Sequence, residues 1–182
     1  MRTPRKAVAG LLAAAGTVAL SIGLGSTPAS AAVTYTQLVN EGSGLCMGLN
    51  LEDGVQVNGA RIQQQICDRS GSKLWARIPL ANSRFYLINW ASSKCLDVTD
   101  GRPTHRVPLQ QWYCTDTPGM KSGYYVPSLP STGLRSDIGR CADVAAGSLE
   151  PGATIQTDTC TGRGAYNPAQ RWGLIGRGSR PL

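Results

Sequence analysis

The chain has 182 residues, with 18 Lys and Arg against 11 Asp and Glu, a net charge of +7, six cysteines and one histidine. Its basic residues are scattered rather than clustered, which argues against a nucleic-acid footprint. With His105 alone and no C-x-x-C pair, zinc has no ligand set, so no metal or cofactor is expected.

Arg2, Arg5 and Lys6 precede an apolar run, Ala7 to Leu24, and Ala29-Ser30-Ala31 supplies small residues for cleavage. A transmembrane anchor is the rival reading. The Ala and Gly content, the basic n-region directly before the run and the cleavage pattern favour a cleaved secretory signal peptide over residues 1–31. Its removal takes three basic residues away, so residues 32–182 carry a net charge of +4. They form one domain large enough for a real core. No second apolar segment approaches membrane-spanning length. The mature chain is expected to be soluble and extracellular, where its six cysteines would form disulfides.

Taken in order, that domain repeats itself three times. The first copy runs GLCMGLNLEDGVQVNGARIQQQIC and closes on SKLW, with a turn signal at Asn58-Gly59. A strand, Phe85-Tyr86-Leu87-Ile88, and a turn over Asn89–Lys94 lead into the second copy, SKCLDVTDGRPTHRVPLQQWYC, which closes on KSGYY. The third copy is GRCADVAAGSLEPGATIQTDTC, with a turn at Pro151-Gly152, and closes on AQRW. Cys46, Cys95 and Cys141 begin the copies, 49 and 46 residues apart, and Cys67, Cys114 and Cys160 follow in register. Gln63, Gln110 and Gln156 each stand four residues before the second cysteine, with Ile62, Leu109 and Ile155 before them. The closing aromatic column is read as Trp75, Tyr124 and Trp172.

Short strands between Gly, Asn, Asp and Pro, with no helical periodicity, make the chain all-β. Each unit is too small to enclose a core, so three must share one about an approximate three-fold axis. Trp75 and Trp172 are expected inside it. The repeats are bounded at about residues 33–79, 80–128 and 129–176. Trp112 is different: its counterparts are Gln65 and Asp158, so the shared architecture does not require it.

Cys-Leu-Asp-Val, Leu-Gln-Gln-Trp-Tyr-Cys and Ala-Gln-Arg-Trp resemble the ricin B-type (R-type) lectin β-trefoil over residues 33–176. The resemblance implies twelve strands and one disulfide inside each unit: Cys46–Cys67, Cys95–Cys114 and Cys141–Cys160. Six cysteines alone would allow fifteen connectivities. It also implies that a sugar site lies in a shallow pocket on one unit. A carboxylate of the Cys-Leu-Asp-Val strand accepts from two sugar hydroxyls, a ring two residues before the second cysteine covers the pyranose, and an Asn-Gln pair in the closing motif adds polar contacts.

On that template the first unit is dead. Gly48, Gln65 and Ser72-Lys73 replace the acid, ring and amide pair. The second keeps Asp97 and Trp112 but has Lys121-Ser122 for the pair. The third keeps Asp143 and Gln170 but has Asp158 for the ring. The candidate carbohydrate-binding residues are therefore Asp97, Gln110, Trp112, Asp143, Gln156 and Gln170. Gln110 and Gln156 have a structural reading as well, because Gln63 persists in the dead unit. Asp97 and Asp143 could equally serve turn backbone. Tyr113 and Tyr124 read as core or rim, and His105 as a loop residue within possible reach of the second pocket. A lone histidine, cysteines in disulfides and acids on separate units leave no catalytic set, so no enzyme is expected. Two functions stay open. One is a secreted lectin for galactose-type sugars or polysaccharide through one or two degenerate sites. The other is a protein-binding trefoil, a protease inhibitor or toxin subunit, with decayed sugar sites.

Overall fold

The computed structural model describes residues 32–128, 131–161 and 165–181. The signal-peptide segment lies outside them. Unit one contributes β1 (Ala32–Asn40), β2 (Cys46–Leu49), β3 (Ile62–Gln65) and β4 (Trp75–Pro79). Unit two contributes β5 (Phe85–Asn89), β6 (Cys95–Val98), β7 (Leu109–Trp112) and β8 (Ser122–Ser128). Unit three contributes β9 (Ser131–Ser136), β10 (Cys141–Val144), β11 (Ile155–Asp158) and β12 (Arg171–Pro181). The helical pieces among the described residues are single 3-10 turns. No described helix is long and apolar enough to cross a membrane.

Six strands close a ring: β1 pairs β12 and β4, β5 pairs β4 and β8, and β9 pairs β8 and β12. Closure removes the free sheet edges that an open six-stranded sheet would expose. The hairpins β2–β3, β6–β7 and β10–β11 cap one end, and single bridges Arg61–Gln110, Gln63–Thr154 and Pro108–Gln156 link neighbouring caps. The architecture is a β-trefoil.

The core is built in layers of three, one residue per unit. Leu38, Leu87 and Leu134 form one such set; Met47, Leu96 and Ala142 another. Leu49, Val98 and Val144, then Ile62, Leu109 and Ile155, complete two more. Trp75 and Trp172 are buried, and their indoles donate to Met47 O at 2.9 Å and Ala142 O at 3.2 Å. The three disulfides join Cys46 to Cys67, Cys95 to Cys114 and Cys141 to Cys160, and no described cysteine is free. Each closes a loop of about twenty residues, contributing on the order of 3 kcal/mol by loop entropy.

The closing column of unit two differs from the sequence expectation. Trp172 lies opposite Asn40 and Trp75 opposite Asn89, but it is Ser122 that lies opposite Ser136. Backbone bonds agree, since Glu41 N→Arg171 O, Trp90 N→Leu74 O and Asp137 N→Lys121 O are equivalent. Ser122 thus holds the tryptophan position, and Tyr124, opposite Leu134, sits two residues further along. The side chain of Tyr124 lies outside the described ones. A small cavity of about 10 Å³ lies beside Ser122, Leu134 and Leu96.

Candidate functional site

The register that moves Ser122 also moves the residues flanking the second site. Lys73, Met120 and Gln170 are equivalent, each donating its amide N–H to the residue three before it: Ser70, Thr117 and Asn167. The positions expected at Lys121-Ser122 are therefore held by Gly119-Met120, and Thr117 stands where Asn167 does in unit three. None of these residue types carries a sugar-site signal, which is why the sequence reading missed them.

In unit two, β6 and β7 pair Asp97 with Gln110 and Cys95 with Trp112. Asp97 is buried, and the Gln110 amide donates to its Oδ2 at 2.9 Å. Burial pushes the Asp97 carboxyl above the usual carboxylate range, opposed by that Gln110 bond and the Val98 N–H, while Asp100 raises it further. Gly119 presses on the acid: a Cβ there would lie 2.8 Å from Asp97 Oδ1. Trp112 ends β7 with 39% of its surface exposed, over the turn holding Gly59. Together Asp97, Gln110, Trp112, Asp100, Thr117 and Met120 line an open pocket of about 280 Å³. The stem of the pocket is polar and one wall is a ring, the two surfaces that a pyranose presents in reverse.

Unit three brings its residues together differently. Asp143 is buried and raised first by desolvation and then by Asp158, while side-chain hydrogen bonds from Gln170, Gln156 and Asn167 pull it back. Gln170 is engaged at both ends, donating to Thr159 O at 3.0 Å and accepting from Thr161 N at 2.9 Å. Where a ring would stand, Asp158 meets His105 Nδ1 at 2.8 Å, and this contact holds the Asp158 carboxyl below its ordinary range. His105 therefore crosses from unit two to the third site rather than to the second pocket. The turn explains the reach. Arg106 adopts a left-handed φ of 57° where Gly59 and Gly152 do so in the other units.

Unit one is closed. Lys73 donates to Asp68 Oδ2 at 3.0 Å and to Ser70 Oγ at 2.9 Å, and a Cβ on Gly48 would lie 2.9 Å from Lys73 Cγ. Tyr113 is an exposed rim residue with Lys94 Nζ 3.7 Å above its ring.

A family profile described as a ricin-type beta-trefoil lectin domain-like domain matches residues 27–112. No curated protein sequence matches the chain. Among solved structures, the designed three-fold symmetric protein ThreeFoil is similar, with TM-score 0.72 and 20% identity over 78% of this chain and 97% of its own. The exo-β-1,3-galactanase 1,3Gal43A of Clostridium thermocellum aligns with TM-score 0.72 and 25% identity over 80% of this chain, which spans only 30% of that enzyme. The C-half of the earthworm R-type lectin, solved in complex with GalNAc, aligns with TM-score 0.57 and 14% identity over 79% of this chain and 99% of that one. The profile match makes residues 27–112 similar to the ricin-type β-trefoil lectin-like domains, and the closed six-stranded ring with its three capped units gives the whole described chain the β-trefoil fold that ThreeFoil shares.

Proposed function

We propose that the protein is a secreted carbohydrate-binding protein with no catalysis of its own, which holds a galactose-type sugar or polysaccharide unit in the second pocket. One observation carries the reading: a buried carboxylate, Asp97, and an exposed ring, Trp112, border the same open pocket. Sugar hydroxyls would donate to the acid while the apolar C–H face lies on the indole. Units one and three have equivalent acids or rings replaced or engaged internally, so a single working site of low affinity is expected. The family match, the GalNAc complex of one neighbour and the galactanase of another support carbohydrate as the ligand class. The signal-like segment and the three disulfides support an extracellular setting.

Screening residues 32–182 on a glycan array, beside Trp112→Ala, tests the reading. Galactose-type or polysaccharide signals should appear and vanish in the variant. Its stability loss should stay below the ~3–5 kcal/mol of deleting a fully buried aromatic. Silence across the array at high protein concentration would turn the search to a protein partner.

A further inference from the structure

The two surviving acids occupy equivalent positions, but their surroundings differ in one respect. Beside Asp143 stand three side-chain amides, Gln170, Gln156 and Asn167, which favour its charged form. Beside Asp97 stands one, Gln110, which donates to it at 2.9 Å, because Met120 and Thr117 hold the positions of Gln170 and Asn167. Asp97 is only 7% exposed, and none of the described ion pairs includes it. A buried carboxylate with so few donors is costly unless something supplies charge or N–H groups.

The pocket around it sharpens the point. Asp100 adds a second carboxylate to the lining, and no lysine or arginine lines it. Two paired cations sit outside its lining. Arg102 holds Asp100 at 2.9 Å, and Lys121 holds Asp116 at 3.0 Å, both in exposed bridges that are screened by solvent. The lining also includes a thioether, Met120, and the Trp112 indole, and a ring face attracts a cation as well as a C–H surface. A neutral hexose would find two acids and one amide here and bring no positive charge to them. A sugar bearing an ammonium would bring three N–H donors and the missing positive charge.

Building on the sugar-site reading, we infer that the second pocket selects amino sugars with a free ammonium, such as 2-amino-2-deoxyhexose units of a de-N-acetylated polysaccharide, over neutral and N-acetylated ones. The selecting groups are Asp97, Asp100 and Trp112, and Met120 removes the amide that would otherwise compete for Asp97.

The test titrates residues 32–182 with galactosamine and glucosamine, their N-acetyl forms, and galactose and glucose, at pH 6 and low salt, following Trp112 by fluorescence or indole N–H shifts. A free amino sugar should bind about tenfold or more tighter than its neutral and N-acetyl counterparts. Added salt should reduce that preference. Asp97→Asn should erase it, and Met120→Gln, which restores an amide beside Asp97, should narrow it. Neutral or N-acetyl sugars binding as tightly as the free amines would overturn the inference and leave the sugar site standing. No response to any of the six sugars or to a de-N-acetylated oligomer would remove both. The wild-type comparison decides the matter even if a variant fails to fold.

Discussion

Two consecutive glutamines in VPLQQWYC serve two tasks. Gln110 donates to Asp97 inside its own unit, as Gln63 donates to Asn50 Oδ1 at 3.4 Å in the first. Gln111 points to another unit and donates to Val55 O at 2.7 Å and Val57 O at 2.8 Å. Asp97 is the residue where function and stability oppose each other. Its folded-state proton affinity is raised by burial, so folding favours the protonated form. Stability from this group is therefore present in acid and is lost as pH rises from the unfolded carboxylate value through the raised folded one. Asp97→Asn keeps an acceptor for Gln110 and removes that cost. Its melting temperature should match or exceed wild type at pH 7, and the advantage should shrink towards pH 3, while sugar affinity falls. A lower melting temperature at pH 7 would mean that the charged form is held better than its surroundings suggest.

At the scale of elements, the turn into β8 decides what the second site can be. Gly119 sits where Ala169 and Ser72 stand in the other units, with Asp97 Oδ1 and the Val98 backbone against it. Gly119→Ala would press its Cβ on Asp97 Oδ1, the end of a short side chain held by Gln110, so it should displace the Asp97 carboxylate. The expected results are a stability loss of about 1–3 kcal/mol and weaker sugar binding, checked by a melt and a titration on one sample. The same turn shows where sequence reading stops. The cysteine columns, the Ile62, Leu109 and Ile155 layer and both buried tryptophans were legible, because residue type and spacing carry them, and Asp97 and Trp112 were brought together by the family resemblance. The closing column of unit two was not. With no tryptophan to align, residue type favours Tyr124, whereas backbone bonds such as Asp137 N→Lys121 O place Ser122 there. Thr117 and Met120 were hidden by the same shift. His105 reached another unit's site through turn geometry that its residue type does not announce.

At the scale of the molecule, the column after the recurring glutamine ties the units into a cycle. Gln64 of unit one donates to Ser148 O and Glu150 O of unit three, both at 2.8 Å. Gln111 of unit two reaches unit one, and Thr157 Oγ1 of unit three donates to Thr104 O of unit two at 2.8 Å. The signal lay in the sequence as Gln64, Gln111 and Thr157, a polar type persisting at a buried position. Gln111→Ala should leave the Val55 and Val57 carbonyls without their donor and cost about 1–3 kcal/mol. Denaturant unfolding of the variant should show a lower midpoint. If both carbonyls lose nothing by it, the cycle contributes no stability.

The pairing of β1 with β12 carries a consequence for chain order itself. Ala32 lies opposite Pro181, so the two ends of the described fold meet across one ladder and a short linker would join them. The exposed turn at Asn82 and Ser83, where both residues hold a left-handed φ, offers a place to reopen the backbone between β4 and β5. A circular permutant beginning at Ser83 would read units two, three and one, a sequence order that a three-fold ring does not distinguish from the natural one. It should reach the same strand ring, form the same three disulfides and keep the second pocket, as thiol counting, a thermal melt and a sugar titration would show. The rotation of the units, rather than their order along the chain, is what this architecture encodes.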